Sequence, residues 1–175
     1  MANPTMTLIS SQTLGGTTAS VTFSSIPSTY NDLKLVISAR GDTAQVFVNL
    51  VLNFNGDTAT NYSYSVLTGN SSATGSSRLS SQTLDGSAYF DGANPTASTF
   101  GSCEIYIPNY NSTGSRQFFN IDVLENNSAS VTNAYIQTAA HLYRGGSAIT
   151  SIALKSFTGN FVQYSNFYLY GIKNS

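Results

Sequence analysis

Val46-Phe47-Val48-Asn49-Leu50-Val51-Leu52-Asn53-Phe54, followed at once by Asn55-Gly56-Asp57, decides the fold class. Val46, Val48, Leu50, Leu52 and Phe54 fall on one parity, with Asn49 and Asn53 on the other. A period of two is the signature of a strand buried on one face. Asn-Gly is a strong turn pair, because both residues tolerate positive φ. The stretch at 62–67 is therefore expected to return antiparallel to it.

The same period recurs outward in both directions. Residues 7–14 and 19–23 flank Gly15-Gly16, the pattern of a hairpin. Residues 33–40 put Leu33, Leu35, Ile37 and Ala39 on one face. In 100–107 Cys103, Ile105 and Ile107 share a face, and Pro108 ends the run. Phe119, Ile121 and Val123 are expected inward in 117–123. Residues 134–143 alternate Ile136, Ala140 and Leu142 against Tyr135, Gln137, His141 and Tyr143. Residues 126–130 are expected as a polar turn, and 149–156 and 164–172 as the last two strands. Residues 69–88, dominated by Gly, Ser, Thr and Asn, are expected as a long polar loop with one short strand near 79–84. No helical stripe persists anywhere. Nine to ten antiparallel strands in one flat sheet would expose an apolar face, so two packed sheets are expected: an all-β sandwich, a jelly roll in particular. The chain is one domain over 6–175, preceded by a short arm at 1–5.

Composition narrows the chemistry. The 175 residues are 9 % charged, net −1, 41 % hydrophobic and 12 % aromatic; a typical domain is roughly 25 % charged. No basic excess is present for a phosphate backbone, so no nucleic-acid partner is expected. No apolar run approaches the roughly 20 residues of a membrane span. One His, two Glu and one Cys leave little catalytic inventory, and neither an enzyme nor a cofactor is expected. His141, the sole histidine, falls within a strand, where a surface or interface role is expected. One His and one Cys cannot build a zinc site. Asn55 and Asp57 are the best candidates for calcium oxygens, without the spacing of a calcium loop. Glu104, Asp122 and Glu125 are the acids of the second half; Asp122 and Glu125 read as residues solvating a strand end. Cys103 shares the parity of Ile105 and Ile107 and reads as a buried, inert thiol. Arg40-Gly41-Asp42 spells an adhesive tripeptide, but after a strand Gly-Asp is ordinary turn chemistry.

Tyrosine is the conspicuous residue. Tyr106, Tyr135, Tyr143, Tyr168 and Tyr170 lie opposite the apolar parity of their strands. Three explanations fit: an interface with a sister subunit or capsid, where Tyr is enriched; burial of both strand faces; or a platform for sugar rings. The interface reading takes Tyr106, Tyr110, Tyr135, His141, Tyr143, Tyr168 and Tyr170 as its contact set.

Several colinear stretches carry a resemblance. They include Thr7-Leu8-Ile9-Ser10-Ser11-Gln12-Thr13-Leu14, Ser25-Ile26-Pro27-Ser28-Thr29-Tyr30-Asn31-Asp32-Leu33, Phe54-Asn55-Gly56-Asp57, Ile105-Tyr106-Ile107-Pro108-Asn109-Tyr110 and Tyr170-Gly171-Ile172. Together they resemble a family of tailed-bacteriophage virion structural proteins over nearly the whole chain. The resemblance implies a head-decoration or cement protein on the capsid surface, made in the host cytoplasm. It implies contact with the major capsid protein and with itself, as a homotrimer. A tail-fibre component recognising host glycan is the other place it allows. The resemblance implies no catalytic residues.

Overall fold

The computed structural model describes residues 5–70, 72–125 and 134–173. Twelve strands are present among them: β1 (Met6–Thr13), β2 (Ser20–Phe23), β3 (Asp32–Ala39), β4 (Phe47–Phe54), β5 (Tyr62–Gly69), β6 (Thr74–Gln82), β7 (Asp85–Asp91), β8 (Gly101–Ile107), β9 (Arg116–Leu124), β10 (Tyr135–Tyr143), β11 (Ile152–Ser156) and β12 (Asn166–Ile172). They form a two-sheet, all-β sandwich, with no helix among the described residues. The large sheet runs β1-β12-β3-β8-β9-β10-β5-β6 and the small one β2-β11-β4-β7. Neighbours within each sheet are antiparallel. β11 lies between β2 and β4, and β12 between β1 and β3.

The core sits where the parity of 33–40, 46–54 and 100–107 placed it. Leu33, Leu35, Ile37, Cys103, Ile105, Ile107, Phe167 and Leu169 of the large sheet face Val21, Phe23, Leu50, Leu52, Phe54, Phe90, Ile152 and Leu154 of the small one, all buried. Apolar burial of this kind contributes about 25 cal/mol per Å². The Tyr30 ring lies 2.3 Å from where a Cβ on Gly171 would stand, so only glycine admits it across β12.

Three sequence expectations change. Gly15-Gly16 does not close a hairpin: β1 belongs to the large sheet and β2 to the small one. The Asn55-Gly56 turn forms as expected, with φ of 54° and 67°, yet β5 joins the opposite sheet from β4. A sandwich turns its corners by switching sheets, and local turn chemistry does not reveal which sheet receives the strand. Residues 69–88 are mainly strand: β6 pairs with β5, and β7 with β4. The polar side chains of β6 are exposed along most of its length, which explains the missing apolar signal. The turn expected at 126–130, and the arm at 1–5 apart from Thr5, lie outside the described residues.

Candidate interaction face and the polar cluster behind it

β9 and β10 reverse the parity expected of them. Arg116, Phe118, Asn120, Asp122 and Leu124 of β9 point into the sandwich, while Phe119, Ile121 and Val123 point out, each 45 % exposed. On β10, Gln137, Ala139, His141 and Tyr143 are inward and Ile136 is 60 % exposed. Edge pairing accounts for the reversal. β7 ends the small sheet and pairs only with β4, so its other edge presents backbone groups that need partners. Asp122 Oδ2 accepts the Tyr89 N–H at 2.8 Å. Apolar residues at the inward positions of β9 could not do this.

Inward polar residues form a connected chain from Gln137 through Asp122, Asn120 and His141 to Asp85. Asp122 Oδ2 also accepts from Asn120 Nδ2 and Gln137 Nε2, each at 2.8 Å. Burial pushes the Asp122 carboxyl up to about 6, against the pull of these hydrogen bonds. His141 lies with Nδ1 2.5 Å from Asp85 Oδ2 and Nε2 2.5 Å from Asn120 Oδ1. Both ring nitrogens thus lie within hydrogen-bond reach of an oxygen. The ring stacks on Phe118 at 4.4 Å. His141 is therefore buried, not a surface or interface residue. Neither nitrogen is left to meet a substrate. Asp122 is likewise a buried member of the cluster and does not solvate a strand end. Cys103 is buried as expected, and its burial drives the thiol well above the usual range.

The tyrosines divide. Tyr106, Tyr168 and Tyr170 are half-buried on the outer face of the large sheet, where Tyr168 and Tyr170 stack at 6.5 Å and Tyr106 lies 5.6 Å from Phe119. Tyr106 donates to Asp32 Oδ2 at 2.6 Å, which pushes its hydroxyl up to about 12. Tyr110 is fully buried, with its hydroxyl donated to the Pro27 carbonyl. Tyr143 is a core residue packed on Tyr62 and Phe54, and it donates to Asp57 Oδ2 at 3.0 Å. Tyr135 shares the inward parity of Gln137 and packs edge-on against Phe47. Four members of the expected contact set, Tyr110, Tyr135, His141 and Tyr143, thus lie off the outer face.

Apolar residues take their place, among them Phe119, Ile121 and Val123, which the alternation had assigned inward. Met6, Leu8, Leu67, Phe119, Ile121, Val123 and Ile136 are 45 to 62 % exposed, and strand register sets all seven on the outer face of the large sheet. Apolar residues on both parities of 116–124, with Phe118 and Leu124 opposite Phe119, Ile121 and Val123, are the signal that both faces of this strand make contacts. The surface is hollowed over β10, where Thr138 and Ala140 are small beside the β9 ridge. Three adjoining hollows of about 500, 710 and 370 Å³ lie there. Lys34 and Glu104 pair at 2.8 Å across this same face.

The remaining candidates are used internally. Asn55 Oδ1 accepts from the Thr150 and Ser151 N–H groups. Asp57 accepts from Ala59 and Asn61, and the hydrogen bond from Asn61 holds its carboxyl below the usual value. Glu104 lies on the outer face and Asp122 on the inner one, so these two acids are separated by the sheet. Arg40 is 9 % exposed, with its guanidinium donating to the carbonyls of Ala93, Pro95, Thr96 and Thr99. The tripeptide it begins is therefore not displayed. Among the described residues no three His, Cys, Asp or Glu side chains converge as metal ligands do.

Fold and site together define an all-β sandwich with a broad, half-apolar sheet face. Compared with known proteins, the chain matches no family model, no curated protein and no solved structure.

Proposed function

We propose that the chain is a structural protein of a tailed-bacteriophage virion, a head-decoration protein that binds the outer capsid surface and stabilises it. The observation that carries this reading is the outer face of the large sheet, where seven large apolar side chains stand exposed on one side. Monomeric proteins rarely leave an apolar patch larger than a few hundred Å² uncovered. Such a face works through area, and repetition over a shell multiplies weak contacts. The resemblance along the chain supports the same reading. So does strand order: β1-β12-β3-β8 opposite β2-β11-β4-β7 is the order we read as a jelly roll, with β5–β6 and β9–β10 added to one sheet. In this reading the major capsid protein and further copies of the chain are its partners.

The stacked Tyr168 and Tyr170, two strands from Tyr106 on the same face, favour one other reading, a tail-borne component that sets these rings against host glycan. Quantitative mass spectrometry of purified particles separates the two. Decoration predicts a ratio to the major capsid protein near one, or a simple fraction of it. A handful of copies per particle would overturn decoration and leave the tail reading.

A further inference from the structure

We propose that the part of this outer face centred on β9 and β10 is a self-association surface, covered by a second copy of this chain in a two-fold pair, while the β12 and β1 part, with Met6, Leu8, Tyr168 and Tyr170, is left to the capsid. The inference deepens the virion reading and rests on it for the expectation that the chain assembles.

Size, shape and charge fit this occupant. An axis between β9 and β10 overlaps the six strands from β3 to β6 in sheet order; about 4.8 Å apart with three outward rows, they give roughly 600 Å² per copy, and the pair together clears the roughly 1,000 Å² of a specific interface. Around the β9–β10 seam the face is aliphatic: Ile121, Val123, Ile136 and Leu67 stand between 45 and 62 % exposed. That composition matches the apolar interfaces of homodimers better than a sugar site, which needs ring faces and polar groups. The relief is self-complementary. Phe119, Ile121 and Val123 form a ridge along β9, and Thr138 and Ala140 leave a trough along the adjacent β10. A two-fold axis seats the ridge of each copy in the trough of the other. Identical twist lets two such faces pack aligned.

The face carries little charge. Lys34 and Glu104 neutralise each other at 2.8 Å. Asp32 is buried beneath Tyr106, and Arg78, on β6, lines two of the hollows over β10. One cation and one neutralised pair offer no strong field to a highly charged partner. A face that packs on itself is isologous and closes as a pair. The expectation is therefore a dimer where the resemblance implied a trimer.

Sedimentation equilibrium on the purified full chain tests this. The wild type is expected at twice its 18.6 kDa mass. Ile121→Asp with Ile136→Asp is expected to weaken association by about 30-fold or more, the loss typical of interface anchors. Thr138→Arg fills the trough from an exposed position and is expected to do the same with an unchanged circular dichroism melt. Phe157→Asp, 65 % exposed away from this sheet, is expected to leave the dimer intact. A wild-type monomer at about 100 μM, well above the Kd of a stable pair, would overturn the inference. So would a trimer, a dimer indifferent to Thr138→Arg, or a monomer whose oligosaccharide binding Thr138→Arg abolishes. A dimer absent from purified particles would remove the virion reading and leave this contact standing. A monomer abundant on particles would do the reverse.

Discussion

Asp122 shows how one side chain can secure an edge at a cost that depends on pH. Its carboxylate seals the open side of β7 and gathers Asn120 and Gln137. Burial raises its folded value to about 6, above the ordinary carboxylate value. Between about pH 4 and pH 6 the unfolded chain therefore sheds this proton before the folded chain does, and stability falls as pH rises, by on the order of 2–3 kcal/mol. Asp42 and Asp57 act in the opposite sense: hydrogen bonds from Asn160 and Asn61 hold their values down, and that stabilisation is lost as pH falls. Asp122→Asn is expected to keep an acceptor for the Tyr89 N–H and to gain on the wild type as pH rises from 4 to 7. Urea denaturation of both proteins across that range checks it; identical pH profiles would show that Asp122 does not titrate in this way.

At the scale of elements, the segment at 93–99 is held by one side chain together with backbone hydrogen bonds from Ala93 and Asn94 to Thr43 and Gln45. Arg40, at the end of β3, serves carbonyls at Ala93, Pro95, Thr96 and Thr99. Arg40→Met leaves those acceptors without their donor and is expected to cost about 3 kcal/mol. Arg40→Lys is expected to recover little, because an ammonium cannot fork to four oxygens. Chemical denaturation measures both, and a loss below about 1 kcal/mol would mean that water serves these carbonyls equally well. The role of Arg40 was not legible in the sequence, because its partners lie more than 50 residues away. The strands themselves were legible wherever one face was apolar and the other polar, as in β3, β4 and β8. β6 was hidden because it buries almost no side chain. β9 and β10 were legible as strands but not in their facing. Alternation fixes which residues share a face, and only the neighbour decides which face is inside. Here that neighbour is the open edge of β7, which demands Asp122 and leaves Ile121 and Val123 to the outside.

For the whole molecule, stability rests on one core shared by the two sheets, with no disulfide among the described residues. Cys103 lies in that core, 1 % exposed, with its thiol disfavoured from ionising. Its modification is therefore expected to require global unfolding. Labelling by a thiol reagent in native buffer should track the unfolding rate and accelerate in Arg40→Met; rapid labelling of the native protein would reveal local opening between the sheets. The interleaving of β11 between β2 and β4, and of β12 between β1 and β3, also sets an order in time. β11 and β12, made after every strand they pair with, are interior strands, one in each sheet. Until they emerge, β2 and β4 have no common partner, and β1 has nothing to pair with. The nascent chain must wait with its apolar strand faces open, and both sheets close only after β11 and β12 have emerged.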